Sequence, residues 1–371
     1  MTNRTILIMA AGTGGHIMPG LAIAKELVAR GWKIVWMGTR GGMENRLVAQ
    51  AGYPMVHVDM KGVRSKGALA WFLLPLRLLV AFWQSTVAIF RVRPDVVLSM
   101  GGYVAFPGGM MAALWGKPLV VHEPGAVAGI TNRVLAPVAD RVIVGMEGAF
   151  DAPAANAVAA RLPKPKNVVW LGTPVRGEIA AIPEPDVRLR GREGRLRLLV
   201  VGGSLGAQSM NDLIVAALAG MEATGRPEVV HQSGEKLFDG LKTSYADVGV
   251  QAQVLPFIDD MDARYAWCDV MISRSGAITV AEIAAAGVAA ILFPLPWFVA
   301  DEQAGNARWL ESRGAAVKLD QLQTTPAQLA DVLRGLKRER LVHLARCARA
   351  LGKPEATARC ADLCEELARA A

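Results

Sequence analysis

Twice in this chain a continuous apolar run ends in a cluster of glycines and passes straight into a helical pattern. The first is Thr5–Met9, running into Ala11-Gly12-Thr13-Gly14-Gly15-His16. The second is Leu198–Val201, running into Gly202-Gly203-Ser204-Leu205-Gly206-Ala207. An uninterrupted apolar strand is buried on both faces, as strands of a helix-covered parallel sheet are. Behind the first turn, Leu21, Ala24, Leu27 and Val28 recur at helical spacing. Pro19 is expected near the start of that helix and Gly31 at its end. Further strand candidates are Lys33–Met37, Asp95–Ser99, Pro118–His122, Arg141–Val144, Val229–Gln232, Ala252–Leu255, Val270–Ile272 and Ala289–Phe293. Strands alternating with helices predict an α/β protein of two tandem Rossmann-like, doubly wound parallel-sheet domains. The ligand cleft is expected between them, outside the carboxyl ends of both sheets.

Loop chemistry marks the junction. Asp151-Ala152-Pro153 and Pro163-Lys164-Pro165-Lys166 are followed by Gly172-Thr173-Pro174-Val175-Arg176 and a charged stretch from Pro183 to Arg197. The boundary is placed between residues 173 and 174, with the second domain reaching residue 351.

Composition narrows the function. Hydrophobic residues at 52% and charged residues at 20% describe a folded chain. A net charge of +8 suits phosphorylated substrates, anionic lipid or nucleic acid. No zinc-finger or RNA-binding signature accompanies it, so nucleic acid is not expected as a partner. Cys268, Cys347, Cys360 and Cys364 lack C-x-x-C spacing and read as buried free thiols. The five histidines show no metal-ligand spacing. The apolar run at the N-terminus is too short for a signal-peptide core, which predicts a cytoplasmic protein. Residues 68–90 are apolar enough to approach a membrane span, yet contain Pro75, Arg77 and Gln84-Ser85-Thr86. Basic Arg64, Lys66, Arg91 and Arg93 flank both ends. Two readings stay open: a buried helix pair, or a surface patch dipping into anionic lipid.

The glycine turns carry the chemistry. Glycine lets backbone approach a ligand closely, and the helix that follows offers unpaired N–H groups and a positive dipole end to a diphosphate. The first turn departs from G-x-G-x-x-G, and the second strand ends Trp36-Met37-Gly38-Thr39-Arg40 without the acid an NAD site wants. His16, at a helix N-terminus, is expected to be neutral and able to accept a proton. Ser204 can offer a hydroxyl to phosphate. The turn Ser273-Arg274-Ser275-Gly276 feeds a helix carrying Glu282, whose carboxylate can accept both hydroxyls of a ribose. Gln303, in a polar cluster after an apolar strand, can read sugar hydroxyls.

In this order along nearly the whole chain, these motifs resemble the MurG family of N-acetylglucosaminyltransferases of peptidoglycan synthesis. The matching residues are Gly12–Gly15 with His16 and Pro19, Gly101-Gly102-Tyr103 with Pro107-Gly108, His122-Glu123, Thr131-Asn132 and Pro174-Val175-Arg176. They continue through Gly202–Ala207, Phe257-Ile258-Asp259-Asp260-Met261, Arg274–Glu282 and Gln303-x-x-Asn306. The resemblance implies a two-lobed GT-B fold, with a final helix near 352–371 crossing back to the first domain. It implies inverting, metal-independent transfer of N-acetylglucosamine from UDP-N-acetylglucosamine to the 4-hydroxyl of the muramoyl sugar of lipid I, giving lipid II. No cofactor is needed, and the setting is the cytoplasmic face of the inner membrane. It also implies donor contacts at Thr13, Gly14 and Gly15, with Arg176 and Ser204 on the diphosphate and the Ile258 backbone on uracil. Ala277, Ile278, Thr279, Val280, Ala281 and Glu282 line the nucleotide, with Glu282 on the ribose and Gln303 on the N-acetylglucosamine. Tyr103 and Asn132 belong to the acceptor side. One departure stands out: the family usually follows His-Glu with Gln-Asn, and this chain has Pro124-Gly125.

His16 is the first choice for the base and Glu123 the second. Three alternatives remain at this point: another lipid glycosyltransferase of the same lobes, a UDP-sugar epimerase, and a catalytically lapsed division scaffold.

Overall fold

The computed structural model describes residues 4–12, 14–60, 74–151, 161–203, 206–296 and 300–370, with backbone only at Ala300 and Asp301. Two compact units are present, one of residues 1–176 with 355–371, the other of residues 177–354.

The first unit runs β1 (Thr5–Ala10), α1 (Gly14–Ala29), β2 (Lys33–Gly38), α2 (Glu44–Gln50), β3 (Met55–His57), α3 (Leu74–Val92), β4 (Val96–Gly101), α4 (Ala105–Leu114), β5 (Leu119–Glu123), α5 (Ile130–Leu135), β6 (Arg141–Val144) and β7 (Val168–Trp170). Its seven strands are parallel in the order β3-β2-β1-β4-β5-β6-β7. Side-chain alternation divides β1 between two cores. Ile6 and Ile8 face the side of Ile17, Ile23 and Leu27 from α1, whereas Leu7 and Met9 face Ala81 and Ile89 from α3 and Ala112 from α4. Helix α1 starts at Gly14, so Pro19 lies inside it and not in its first turn. The missing N–H leaves the Gly15 carbonyl without its helical donor. Gly31 ends α1 at φ 85°, with the Trp32 N–H on the Leu27 carbonyl at 3.0 Å.

The second unit opens with two four-residue helices, α6 (Gly177–Ala180) and α7 (Pro185–Arg188). It continues β8 (Arg197–Val201), α8 (Gln208–Ala219), β9 (Glu228–Gln232), α9 (Phe238–Asp247), β10 (Gln253–Leu255), α10 (Met261–Trp267), β11 (Val270–Ser273), α11 (Ala277–Ala286), β12 (Ala289–Leu292), α12 (Ala300–Glu311), β13 (Ala316–Lys318), α13 (Pro326–Gly335) and α14 (Arg338–Leu351). Six parallel strands are ordered β10-β9-β8-β11-β12-β13. In both sheets the strand order reverses beside the first strand, between β1 and β4 and between β8 and β11. Those are the switch points where doubly wound sheets bind ligands.

The last helix, α15 (Ala356–Ala370), belongs to the first unit. Its Cys360, Ala361 and Cys364 enter the core beside Ile6 and Leu27. Arg30, just past the end of α1, reaches Asp362 at 2.7 Å and Glu365 at 3.3 Å, and the Trp32 indole donates to Glu365 at 2.9 Å. All four cysteines are free; Cys347 is only half-buried.

Over its described part, the 68–90 segment is one helix, α3, and the buried-pair reading is corrected. Small side chains face inward: Ala81, Ser85 and Ala88, together with Ile89. The large ones face out, with Trp83 69% and Leu79 66% exposed. No described helix is long and apolar enough to cross a membrane.

Candidate active site

In the first unit the loops leaving β1 and β4 meet at the switch point. Gly12, Gly101 and Gly102 all have positive φ, at 100°, 107° and 89°. A Cβ on Gly102 would fall 2.1 Å from the Ala11 carbonyl oxygen, and one on Gly101 would fall 2.7 Å from the His16 ring. Glycine is therefore required for the β4 exit to close on the β1 exit and for His16 to lie flat against it. Thr13 lies outside the described residues, while Gly14 and Gly15 form the first turn of α1. His16 is half-buried and its Nδ1 makes no hydrogen bond among the described residues. Burial lowers its pKa against the opposing pull of the Met100 backbone. His122 is fully buried, with Nε2 3.4 Å from the Gly172 carbonyl oxygen. Its pKa falls to about 4 through burial, the Gly172 backbone opposing and the neighbouring His16 adding to the fall. Both rings are neutral at pH 7.

The other expected residues of this unit divide sharply. Tyr103 is 46% exposed at the β4 exit. Glu123 is buried and accepts from the Gly125 N–H at 3.0 Å, the Gly129 N–H at 2.9 Å and the Asn132 amide at 2.9 Å. Asn132 also donates to the His122 carbonyl at 3.1 Å. Glu123 and Asn132 thus hold the loop after β5 in shape.

Glu44, which sequence reasoning did not single out, holds the turn after β1 from behind. Fully buried, it accepts from the Thr39 hydroxyl at 2.7 Å, the Thr39 N–H at 2.9 Å and the Gly12 N–H at 3.3 Å. Burial pushes its pKa up, but these bonds and its own backbone amide outweigh that and lower it. Gly38 and Gly42 make room for it: any Cβ there would strike the Glu44 side chain, at 2.8 and 2.1 Å.

In the second unit Gly203 has φ 95° and Gly206 φ 75°, with Ser204 outside the described residues. Helix α11 begins after Gly276, which supplies no side-chain cap, and no acid occupies the first turn. Its opening N–H groups are thus suited to an anion. Ala277, Ile278, Thr279, Ala281 and Glu282 are half-buried along this helix. Val280 differs: its side chain is fully buried in the core, because the fourth residue of the helix turns back toward the sheet. Glu282 accepts from the Tyr265 hydroxyl at 3.0 Å. The Ile258 N–H, expected to meet a base, is given to Gln232 Oε1 at 3.1 Å. Gln303 Oε1 accepts the Leu295 N–H at 3.1 Å, so the group it can offer a sugar hydroxyl is its amide nitrogen. The turn beneath is cross-braced: the Ser275 hydroxyl donates to the Gln303 carbonyl and the Asn306 amide to the Ser275 carbonyl, both at 2.9 Å. Buried Arg274 donates to the Phe293 and Pro294 carbonyls at 3.2 and 3.3 Å. Arg176 is half-buried at the end of the first unit. Among the described residues no three His, Cys, Asp or Glu are grouped as metal ligands.

Two doubly wound units with glycine turns at both switch points, and a carboxylate in the helix after β11, fit a nucleotide-sugar glycosyltransferase. Comparison with known proteins agrees. Residues 6–144 match the glycosyltransferase family 28 N-terminal domain and residues 197–363 the family 28 C-terminal domain. A Ralstonia nicotianae protein named UDP-N-acetylglucosamine--N-acetylmuramyl-(pentapeptide) pyrophosphoryl-undecaprenol N-acetylglucosamine transferase is 51% identical, covering 99% of this chain and 97% of its own. The Aromatoleum aromaticum protein of the same name is 52% identical, covering 98% of both chains. The crystal structure of Acinetobacter baumannii MurG superposes with a TM-score of 0.84 at 36% identity, over 98% of this chain and 99% of that one. The chain belongs to the MurG family of N-acetylglucosamine transferases.

Proposed function

We propose that the chain transfers N-acetylglucosamine from UDP-N-acetylglucosamine to the 4-hydroxyl of the muramoyl sugar of lipid I, with inversion, to give lipid II for peptidoglycan. The observation that carries this reading is membership of the family over nearly the full length, together with the uncapped α11 and Glu282 in the second unit. That unit holds the nucleotide. Uracil lies at Ile258, the ribose at Glu282, the diphosphate at the turn after β8 and the N-terminus of α11, with Gln303 on the donor sugar. Gly125 offers no side chain to that sugar, which leaves Gln303 as its reader.

In the displacement, the acceptor oxygen forms the new bond to the anomeric carbon as the bond to UDP breaks. Neutral His16 takes the acceptor proton, while Glu123, held by three donors of its own loop, keeps that loop in place. The charge released on UDP is met by Arg176, Ser204 and helix N–H groups, so no metal is required. UDP release from UDP-N-acetylglucosamine, measured in EDTA with and without a lipid I analogue, tests this. Release that depends on the analogue and survives EDTA is expected. Donor binding without turnover would favour a lapsed enzyme, and loss of turnover in EDTA would overturn metal independence.

The outward face of α3 supports docking on the cytoplasmic face of the inner membrane. Leu76, Leu79, Trp83, Val87 and Phe90 form an exposed stripe at helical spacing, and Leu114 and Trp115 at the end of α4 extend it. Phe90 and Trp115 meet edge to face at 4.8 Å. Exposed Arg77, Arg91 and Arg93 accompany it. Flotation with anionic vesicles is expected, weakened by Trp83→Ser. Flotation indifferent to lipid charge and to this substitution would remove the proposal.

A further inference from the structure

The strand β9 lies between β8 and β10, so a residue at its carboxyl end can reach the exit loops of both neighbours. One does. Gln232 is 2% exposed, donates from Nε2 to the Gly203 carbonyl at 3.1 Å, and accepts the Ile258 N–H on Oε1 at 3.1 Å. A single buried carboxamide thereby joins the glycine turn after β8 to the Phe257-Ile258 loop after β10. The residues around it fix its place. His231, just before it, is fully buried between the Tyr245 hydroxyl at 2.8 Å and Asn211 Oδ1 at 3.1 Å. Ser233, just after it, ties its N–H to the Leu255 carbonyl at 2.9 Å and its hydroxyl to the same oxygen at 3.1 Å. Gly206 closes the other side: a Cβ there would lie 2.1 Å from the Ser233 carbonyl oxygen, so the far end of the glycine turn packs directly on the β9 exit.

We infer that Gln232 is a positioning residue that sets the spacing between the diphosphate turn and the uracil loop, and so acts on the intact nucleoside diphosphate more than on its parts. The inference rests on the reading that the second unit holds the nucleotide. Its physical basis is that an amide supplies one donor and one acceptor at a fixed separation. Removing it leaves a buried N–H and a buried carbonyl unpaired, and the two loops then relax independently. A ligand gripping both loops loses the benefit of their preset spacing; a ligand gripping one does not.

The test compares UDP with uridine on purified full-length protein, by calorimetry or competition. For Gln232→Leu we expect UDP to bind about tenfold or more weakly and uridine to change by less than about threefold. Gln232→Glu keeps the acceptor for Ile258 but sets a carboxylate against the Gly203 carbonyl; it serves as the second variant should Leu impair folding, with the same selective loss of UDP. Equal losses for UDP and uridine, or UDP affinity within threefold of wild type, would overturn the role. Glu282→Gln is the companion: it should weaken both ligands alike through the ribose. If Glu282→Gln leaves both untouched, the nucleotide is not where the underlying reading puts it, a failure distinct from that of Gln232.

Discussion

The two units share one strand grammar but back their glycine turns with opposite chemistry. Behind the first turn is a buried carboxylate: Glu44 takes the Gly12 N–H that an anionic ligand would otherwise use. Beside it are two neutral imidazoles, His16 and His122. The second unit's loops are held by uncharged amides and a cation, namely Gln232, Gln303, Asn306 and Arg274. A negative charge a few ångströms behind a turn opposes a diphosphate there, while neutral donors and an uncapped helix favour one. On the proposed reading, the same fold element serves proton transfer in one unit and anion binding in the other.

The sharpest way to break that comparison is to remove the proposed base. His16→Ala should lower kcat by roughly 10²–10⁴ while UDP affinity holds, as expected when a general base is lost. A loss below tenfold in a folded protein would take the proton-transfer role out of the first unit.

Acid gives a second comparison, because each unit buries one strongly shifted histidine. His122 has its pKa lowered to about 4 and His231 to about 3, both mainly by burial. A lowered histidine pKa means that the unfolded chain binds protons first. Stability is therefore full above the unfolded value near 6.5 and falls as pH drops toward the folded values. Between pH 7 and 5 each histidine should cost its unit about 2 kcal/mol. Urea unfolding of His231→Gln at the two pH values should show a loss smaller by that amount. An unchanged pH dependence would mean that His231 is protonated in the folded state.

Much of this was legible in the residues. Continuous apolar runs ending in glycines gave both sheets, since burial on two faces leaves no polar alternation to confuse strand with loop. The places of His16, Glu282 and Gln303 in the fold were legible because each follows a strand-to-helix turn. What escaped was whatever depends on partners distant in sequence. Glu44 is tied to Gly12 thirty-two residues away, and Gln232 to Ile258 twenty-six residues away. Nothing local distinguishes such residues from a helix-start acid or a strand-end amide. The same blindness hid the three donors from its own loop that hold Glu123, the second candidate for the base. Segment 68–90 was ambiguous because apolarity alone does not say which side of a helix meets the core; Ala81, Ser85 and Ala88 decide it by being small enough to pack closely.

Glu44→Gln sharpens the comparison with a smaller effect. The carboxylate offers acceptors to three donors, the Thr39 hydroxyl and the N–H groups of Thr39 and Gly12. Glutamine has one acceptor oxygen, and its NH₂ must face at least one of those donors. The Gly12 bond is the longest at 3.3 Å and is the one expected to yield, because the two Thr39 bonds are shorter and share one oxygen. Freed, the turn between Gly12 and His16 shifts, and kcat should fall about tenfold, a modest misplacement of a catalytic group. UDP binding should stay at the wild-type level, because the second unit's loops make no use of Glu44. A kcat within twofold of wild type would show that the Gly101 packing alone holds His16. A parallel loss of UDP affinity would show that the first unit's carboxylate also governs the nucleotide, and the division of labour between the two turns would no longer stand.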